Sequence, residues 1–317
     1  MPQPDEWGDT FQPIYAVQDE EQSPDQKPPP QHARRRPRWQ WALLALSSPL
    51  WVCAAVMLLY VLIPPPPADI LVLGLDARTG EGYVTRTDTI ILLGVQPRRL
   101  RVSALSIPRD LFINVPGYGS RRVNTVNVLG EMAEAGSGPT LLSAGITESF
   151  GVTPERYVRL NFEAFTRLVD AVGGVRIDVP RQIIDYSYPT SDYGTRVVRF
   201  EPGVQQMDGE AALAYARTRH ADDDYGRAAR QQQVLSALMR KLANPVHWGP
   251  ASAVIAQNVD SDMHLLQMGL YAPPMLFSGA TGTLDRLVID REYILGGANG
   301  AVPNYEKLRP WIEPRFD

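Results

Sequence analysis

Cysteine is nearly absent from this chain. Cys53 is the only one, which rules out an internal disulfide framework. Histidine is scarce as well. Four His and one Cys argue against a zinc site of the usual Cys/His kind, and leave a hard cation on carboxylates as the metal chemistry still open. Basic charge is not in excess. A net charge of −4 argues against a general polyanion binder such as a nucleic-acid protein, so any anion site must be local. No Walker loop, GxSxG elbow or HExxH helix occurs, and no internal repeat. Charge of either sign is missing from Trp41–Ile63 (WALLALSSPLWVCAAVMLLYVLI), 23 residues that suffice to cross a bilayer.

The flanks of that stretch set an expected topology. Arg34, Arg35, Arg36 and Arg38 precede it, and Trp39, Trp41 and Tyr60 sit near its ends as interfacial aromatics do. The positive-inside rule then puts residues 1–40 in the cytoplasm and everything after Ile63 outside the cell membrane. A cleaved signal peptide fits less well, because the apolar run is too long and Pro64–Pro67 stands where a small-residue cleavage site belongs. Residues 1–40 are polar, Pro-rich and without apolar periodicity, so disorder is expected there. Residues 41–63 read as a single-pass anchor and 64–67 as a stiff spacer. Residues 68–317 read as one extracytoplasmic domain, and 44% hydrophobic content is enough for its core.

The domain reads as α/β. Asp69–Leu75, Thr89–Val95 and Arg101–Ile107 are predicted buried strands with short connections, hence antiparallel neighbours. That pairing brings Asp76, Arg86, Asp88, Arg109 and Asp110 to one end of the sheet. Helices are predicted over Val126–Ala135 and Thr140–Phe150, the second stopped by Gly151. A strand at Tyr157–Leu160, a helix at Phe162–Val172 closed by Gly173-Gly174, and a strand at Val175–Val179 follow. The alternation predicts layers on both faces of the sheet. Ile183–Phe200 reads as a hairpin or flap, and Asp208 as the cap of a helix over Gly209–Ala216. Beyond Pro245, helices are expected near Ala251–Gln257 and Met263–Leu270, then Pro-rich turns and short strands.

Tyr215–Gln233 (YARTRHADDDYGRAARQQQ) concentrates Arg217, Arg219, Arg227 and Arg230 beside Asp222, Asp223 and Asp224. Asp223 or Asp224 suits the N-cap of a helix over Tyr225–Leu242. Its spacing puts Arg227, Arg230, Gln231 and Val234 on one face. Guanidiniums at a helix N-terminus favour an anion, so the stretch reads as a phosphate or pyrophosphate cradle. The competing reading is a solvated helix start with local ion pairs. Asp76 and Asp88 could hold Mg2+, which commonly takes one or two carboxylates plus substrate phosphates, or could simply cap strand ends. Ser106 reads as a strand residue, since no histidine is placed to activate it. His220 reads as a structural hydrogen-bonding residue.

Taken in order, these pieces resemble the LytR-CpsA-Psr family of membrane-anchored cell-wall glycopolymer ligases. They are the D-x-L-x-L-G-x-D block ending at Asp76, Arg86-Thr87-Asp88-Thr89, Ser106-Ile107-Pro108-Arg109-Asp110 and Arg122-Val123-Asn124. Val172-Gly173-Gly174-Val175, Tyr215-Ala216-Arg217-Thr218-Arg219, Asp224-Tyr225-Gly226-Arg227 and Arg230-Gln231-Gln232 complete the set, which covers 69–242. The resemblance implies an α/β/α sandwich around a central mixed sheet, with a long apolar pocket for a polyprenyl chain, behind one N-terminal transmembrane helix. It implies Asp76 and Asp88 as Mg2+ ligands. Arg86, Arg109, Arg217, Arg219, Arg227 and Gln231 become pyrophosphate contacts. Arg122 stands where the family usually has Lys, and the two differ in donor geometry.

The implied reaction moves a phosphoglycan from a polyprenyl-pyrophosphate carrier to a peptidoglycan hydroxyl. Arg86 and Arg109 would act on the transferring group, with Asp224, then Asp222, as candidate base. The alternatives are lipid-pyrophosphate binding or hydrolysis without transfer, and a membrane-bound transcription attenuator. The last would need a cytoplasmic DNA-binding module that residues 1–40 do not offer.

Overall fold

The computed structural model describes residues 51–52, 54–77, 82–190, 194–218, 224–297 and 300–316, the side chains of 224 and 225 excepted. Residues 51–52 and 54–62 are helical (α1). Residues 41–50 and 53 of the expected span 41–63 lie outside the described residues, and among those described no helix is long and apolar enough to cross a membrane.

Three β-rich runs build the centre as expected. β1 (Ala68–Leu75), β2 (Thr87–Gln96) and β3 (Arg101–Ser106) are consecutive antiparallel neighbours. β4 (Phe112–Val115) and β5 (Gly119–Arg122) form a hairpin, followed by α2 (Val123–Ala133) and α3 (Gly138–Phe150). Gly151 closes α3 in the left-handed region at φ 71°, which glycine adopts without steric cost. β6 (Arg156–Leu160) returns parallel to β1, and α4 (Phe162–Ala171) follows, capped by Asn161. β7 (Val175–Val179) pairs with β10 (Gly203–Met207), and β8 (Ile183–Pro189) with β9 (Thr195–Phe200), the expected hairpin. Then come α5 (Gly209–Arg217, capped by Asp208), α6 (Asp224–Leu242), α7 (Trp248–Asn258), the short β11 (Asp260–Ser261) and α8 (Leu265–Thr281). β12 (Asp285–Val288), β13 (Ile294–Gly297), β14 (Gly300–Pro303) and α9 (Tyr305–Ile312) end the chain.

The central sheet is mixed, in the order β11-β6-β1-β2-β3-β12, with β12 parallel to β3. Strand alternation sends its side chains to two cores. Leu71, Leu73, Ile90, Leu92 and Leu105 meet α2, α3 and α9 through Val126, Ile146 and Ile312. Ile70, Ile91, Leu93, Val102 and Ala104 meet α6 and α8 through Met239, Met268, Tyr271 and Met275. Helices thus cover both faces.

Two expectations need correcting. The helix expected near Met263–Leu270 runs on to Thr281, straight through Pro273 and Pro274, where turns were expected. Burying Met268, Tyr271 and Met275 on the sheet outweighs the local cost of the prolines. Asp224 is the first residue of α6, not a cap outside it. Asp223, the other cap candidate, lies outside the described residues.

Candidate functional site: a charged cleft at one end of the sheet

Antiparallel pairing does what the sequence pattern predicts. Leu75 pairs with Thr87, so Asp76 leaves β1 beside Asp88 near the start of β2. β3 runs back to the same end, where the Ile107 amide donates to the Ile90 carbonyl at 2.9 Å and the chain turns into Pro108-Arg109-Asp110. A cleft of about 320 Å³ opens there. Asp76, Arg86, Asp88, Arg109, Asp110 and Arg122 line it, with Asn124 and Thr125 from the first turn of α2.

The charges interlock. Arg109 Nη1 lies 2.8 Å from Asp88 Oδ1 and its Nε 3.4 Å from Asp110 Oδ2. Arg122 Nη1 lies 3.7 Å from the other Asp110 oxygen. The Asn124 amide donates to the Arg109 carbonyl at 3.2 Å, while its side-chain Oδ1 is buried with no hydrogen-bond partner among the described residues. Arg217, at the end of α5, stacks 3.9 Å above the Phe162 ring and reaches Asp76 Oδ1 with Nη2 at 3.4 Å. The Tyr188 ring centroid lies 5.6 Å from the same guanidinium carbon. Burial pushes the Tyr188 phenol up from its ordinary value, and the positive charge of Arg217 pulls it partly back.

Arg86 is exposed, and its guanidinium forms no ion pair among the described residues. Its loop is nevertheless tightly held. The Asp76 amide donates to the Arg86 carbonyl at 2.9 Å, and Asn127 Nδ2 donates to the Tyr83 and Thr85 carbonyls, each at 2.9 Å. Asn127 in turn accepts from Arg159 Nη1 at 3.1 Å. Arg159 is almost wholly buried, pairing with Glu131 at 2.6 Å and Asp260 at 2.9 Å, with Tyr83 stacked 4.0 Å from its guanidinium carbon. Burial pushes the Glu131 carboxyl up, but the Gly136 amide, then Arg159, then the Gly138 amide outweigh it and hold it below its ordinary value. Burial also raises the Tyr83 and Tyr157 phenols, and the nearby Asp260 carboxylate raises both further.

Asp76, Arg86, Asp88, Arg109, Arg122 and Arg217 therefore come together. Arg227 is buried in the first turn of α6, and Gln231 is half-buried one turn on; neither lines the cleft. Arg219, His220 and Asp222 lie outside the described residues, as does the Asp224 side chain. Arg230 has a buried guanidinium that donates to the Tyr215 and Thr218 carbonyls, tying the end of α5 to α6. Ser106 is a strand residue as read, its Oγ accepting from Gln232 Nε2 at 2.8 Å. Asp110, which strand pairing had brought to the same end, lines the cleft with Arg109. The Asn127–Arg159–Glu131–Asp260 network, joined across long sequence separations, carried no local signal.

Among the described residues no cluster of three or more His, Cys, Asp or Glu side chains could hold a metal ion. Asp76 and Asp88 offer a pair of carboxylates among the described residues. That donor set fits a hard cation whose remaining ligands are water and substrate oxygens.

Fold and cleft define a mixed α/β domain with an arginine–aspartate site at one end of its sheet. The family model described as LytR_cpsA_psr matches residues 65–279, and the chain belongs to the LytR-CpsA-Psr family. It is similar to the polyisoprenyl-teichoic acid–peptidoglycan teichoic acid transferase TagU of Oceanobacillus iheyensis, at 34% identity over 202 residues. The match covers 62% of this chain and 59% of TagU, so the chain spans somewhat over half the length of that relative. The crystal structure of Bacillus subtilis TagV superposes with a TM-score of 0.62 at 25% identity, covering 79% of this chain and 97% of that one. TagT bound to LIIa-WTA gives a TM-score of 0.58 at 25% identity, covering 78% and 88%.

Proposed function

We propose that the chain is a ligase that moves a phosphoglycan from a polyprenyl-pyrophosphate carrier to a sugar hydroxyl of peptidoglycan, leaving polyprenyl phosphate. The observation that carries this reading is the cleft. Arg86, Arg109 and Arg122 line it, and Arg217 reaches Asp76 at its edge, as a pyrophosphate would require. Membership of the family, and the transferase name of the TagU relative, support it.

The formal charges of the lining residues cancel, three against three. Asp76, Asp88 and Asp110 oppose Arg86, Arg109 and Arg122, so a pyrophosphate entering alone would meet three carboxylates. We propose that Asp76 and Asp88 hold Mg2+, which supplies charge neutralisation at the phosphates. With those carboxylates so engaged, Arg109 and Arg217 would exchange their Asp88 and Asp76 contacts for phosphate oxygens, Arg109 keeping Asp110 and Arg217 keeping Phe162. Phosphoryl transfer needs positioning and charge compensation more than covalent chemistry from the protein. The acceptor hydroxyl oxygen bonds to the glycan-bearing phosphorus, whose bond to the bridging oxygen breaks. The polyprenyl phosphate leaves with that oxygen, and a carboxylate, Asp224 in our assignment, takes the hydroxyl proton. Arg219, Arg227 and Gln231 are assigned to the same headgroup. The carrier's tail would run along the sheet face under α6 and α8, where Met239, Met263, Met268 and Met275 supply adaptable apolar side chains.

We place the domain outside the cell membrane, anchored through residues 41–63. The described part of that stretch supports this: Trp51, Leu62 and Ile63 are 70%, 69% and 71% exposed. The test is full-length protein in proteoliposomes with a polyprenyl-pyrophosphate oligosaccharide, peptidoglycan oligomers and Mg2+. Wild type should join glycan to peptidoglycan, Asp88→Ala and Arg109→Ala should lose at least about 100-fold in rate, and a chelator should stop the reaction. Release of free glycan without transfer would make the chain a hydrolase and overturn the ligase reading.

A further inference from the structure

α8 (Leu265–Thr281, LLQMGLYAPPMLFSGAT) contains no charged residue in 17 positions. One side packs on the sheet through Met268, Tyr271 and Met275. The opposite side carries Leu266, Leu270 and Phe277, spaced to form a single stripe, and these are 86%, 50% and 47% exposed. A helix that is apolar all round belongs in a core or against lipid, and only half of this one is in the core.

Its place in the fold says what covers the other half. Ala68 pairs with Val95 and Gln96 with Arg101, so the 3-10 turn Pro97–Arg99 stands at the end of the sheet where β1 begins. That is the end opposite the charged cleft, and it receives the chain from Pro64–Pro67 directly after the uncharged stretch. α8 packs against this turn, and Phe277 shares a shallow cleft with Arg99, Leu100 and Arg101. Arg98, Arg99 and Arg101 are all exposed. Near the middle of α8, Tyr271 lies close enough to Tyr60 of the chain's approach for the two phenols to interact electrostatically.

We propose that the outer stripe of α8 and the three arginines of the β2–β3 turn form one bilayer-docking surface, with Leu266, Leu270 and Phe277 in the interface and the guanidiniums on anionic headgroups. The proposal rests on the membrane location proposed above. Apolar side chains on one face of a helix with basic residues beside them are the combination that holds a helix in the plane of an anionic interface.

The experiment uses the full chain carrying Cys53→Ser, with a nitroxide attached after Leu266→Cys, Leu270→Cys or Phe277→Cys. Tyr186→Cys, 69% exposed on β8, is the control. In proteoliposomes at low protein-to-lipid ratio, the three α8 labels should collide several-fold less with a water-soluble nickel chelate, and more with oxygen, than the control. The effect should be larger on anionic than on zwitterionic vesicles. Arg98→Gln/Arg99→Gln/Arg101→Gln should abolish that preference while leaving glycan transfer chemistry in detergent unchanged. Protein that floats with vesicles while its α8 labels match the control would overturn the docking surface and leave the anchor intact. Failure to float would overturn both. Protection that scales with protein-to-lipid ratio would mean a second copy covers the stripe, and would also overturn the proposal.

Discussion

Among the described residues Arg159 heads the fully buried side chains by size, a guanidinium 1% exposed and facing Glu131, Asp260 and the Asn127 amide. Its position beneath the Tyr83–Thr85 loop means that the exposed Arg86 depends on a charge it never touches. Replacing Arg159 by Met leaves the Glu131 and Asp260 carboxylates without their cation. The expected cost is about 3–5 kcal/mol of unfolding free energy, measured by urea denaturation, with weaker donor binding as the Arg86 loop loosens. Glu131 adds a dependence on pH. Its carboxyl sits below the ordinary value of 4.5 when folded, so its contribution is present above the ordinary carboxylate range and is lost as pH falls through the depressed folded value. Glu131→Gln should therefore be less stable near neutrality and should flatten the acid limb of a stability-against-pH curve. An unchanged acid limb would mean the carboxylate is not ionised in the fold.

Among the elements, β1, β2 and β3 were legible because a buried strand with a short connection leaves few alternatives to antiparallel pairing. That inference alone located Asp76, Asp88 and Arg109. Helix spacing was a weaker guide. It put Arg230 on a face with Arg227 and Gln231, but could not say that the guanidinium turns inward to backbone carbonyls. α8 was cut short because Pro273-Pro274 reads locally as a stop, whereas packing on the sheet decides the matter. The Arg159 network joins residues from separate elements and has no period to read. The α6–α8 crossing also rests on a close approach, since a Cβ built on Gly279 would fall 2.7 Å from the Met239 backbone carbon. Gly279→Val should push the helices apart and destabilise the domain by about 1–3 kcal/mol, read as a lower thermal midpoint. An unchanged midpoint would mean that α8 shifts freely on the sheet.

For the whole molecule, the opposite ends of one strand have different tasks. β1 begins at the end proposed to face the bilayer and ends one residue before Asp76. Its eight residues rise about 26 Å. On that orientation the strand is a ruler that fixes the height of the chemistry above the headgroups. The polyprenyl pyrophosphate proposed as donor would then be out of reach at headgroup level, and its tail would have to be drawn out of the bilayer alongside the strand. Donors with short prenyl tails should transfer well from detergent yet poorly from vesicles, because lifting them clears the whole chain from the bilayer. Long-tailed donors, still rooted in the leaflet while the phosphates sit in the cleft, should show no such gap, and the tail length at which the gap closes would measure the distance the domain imposes.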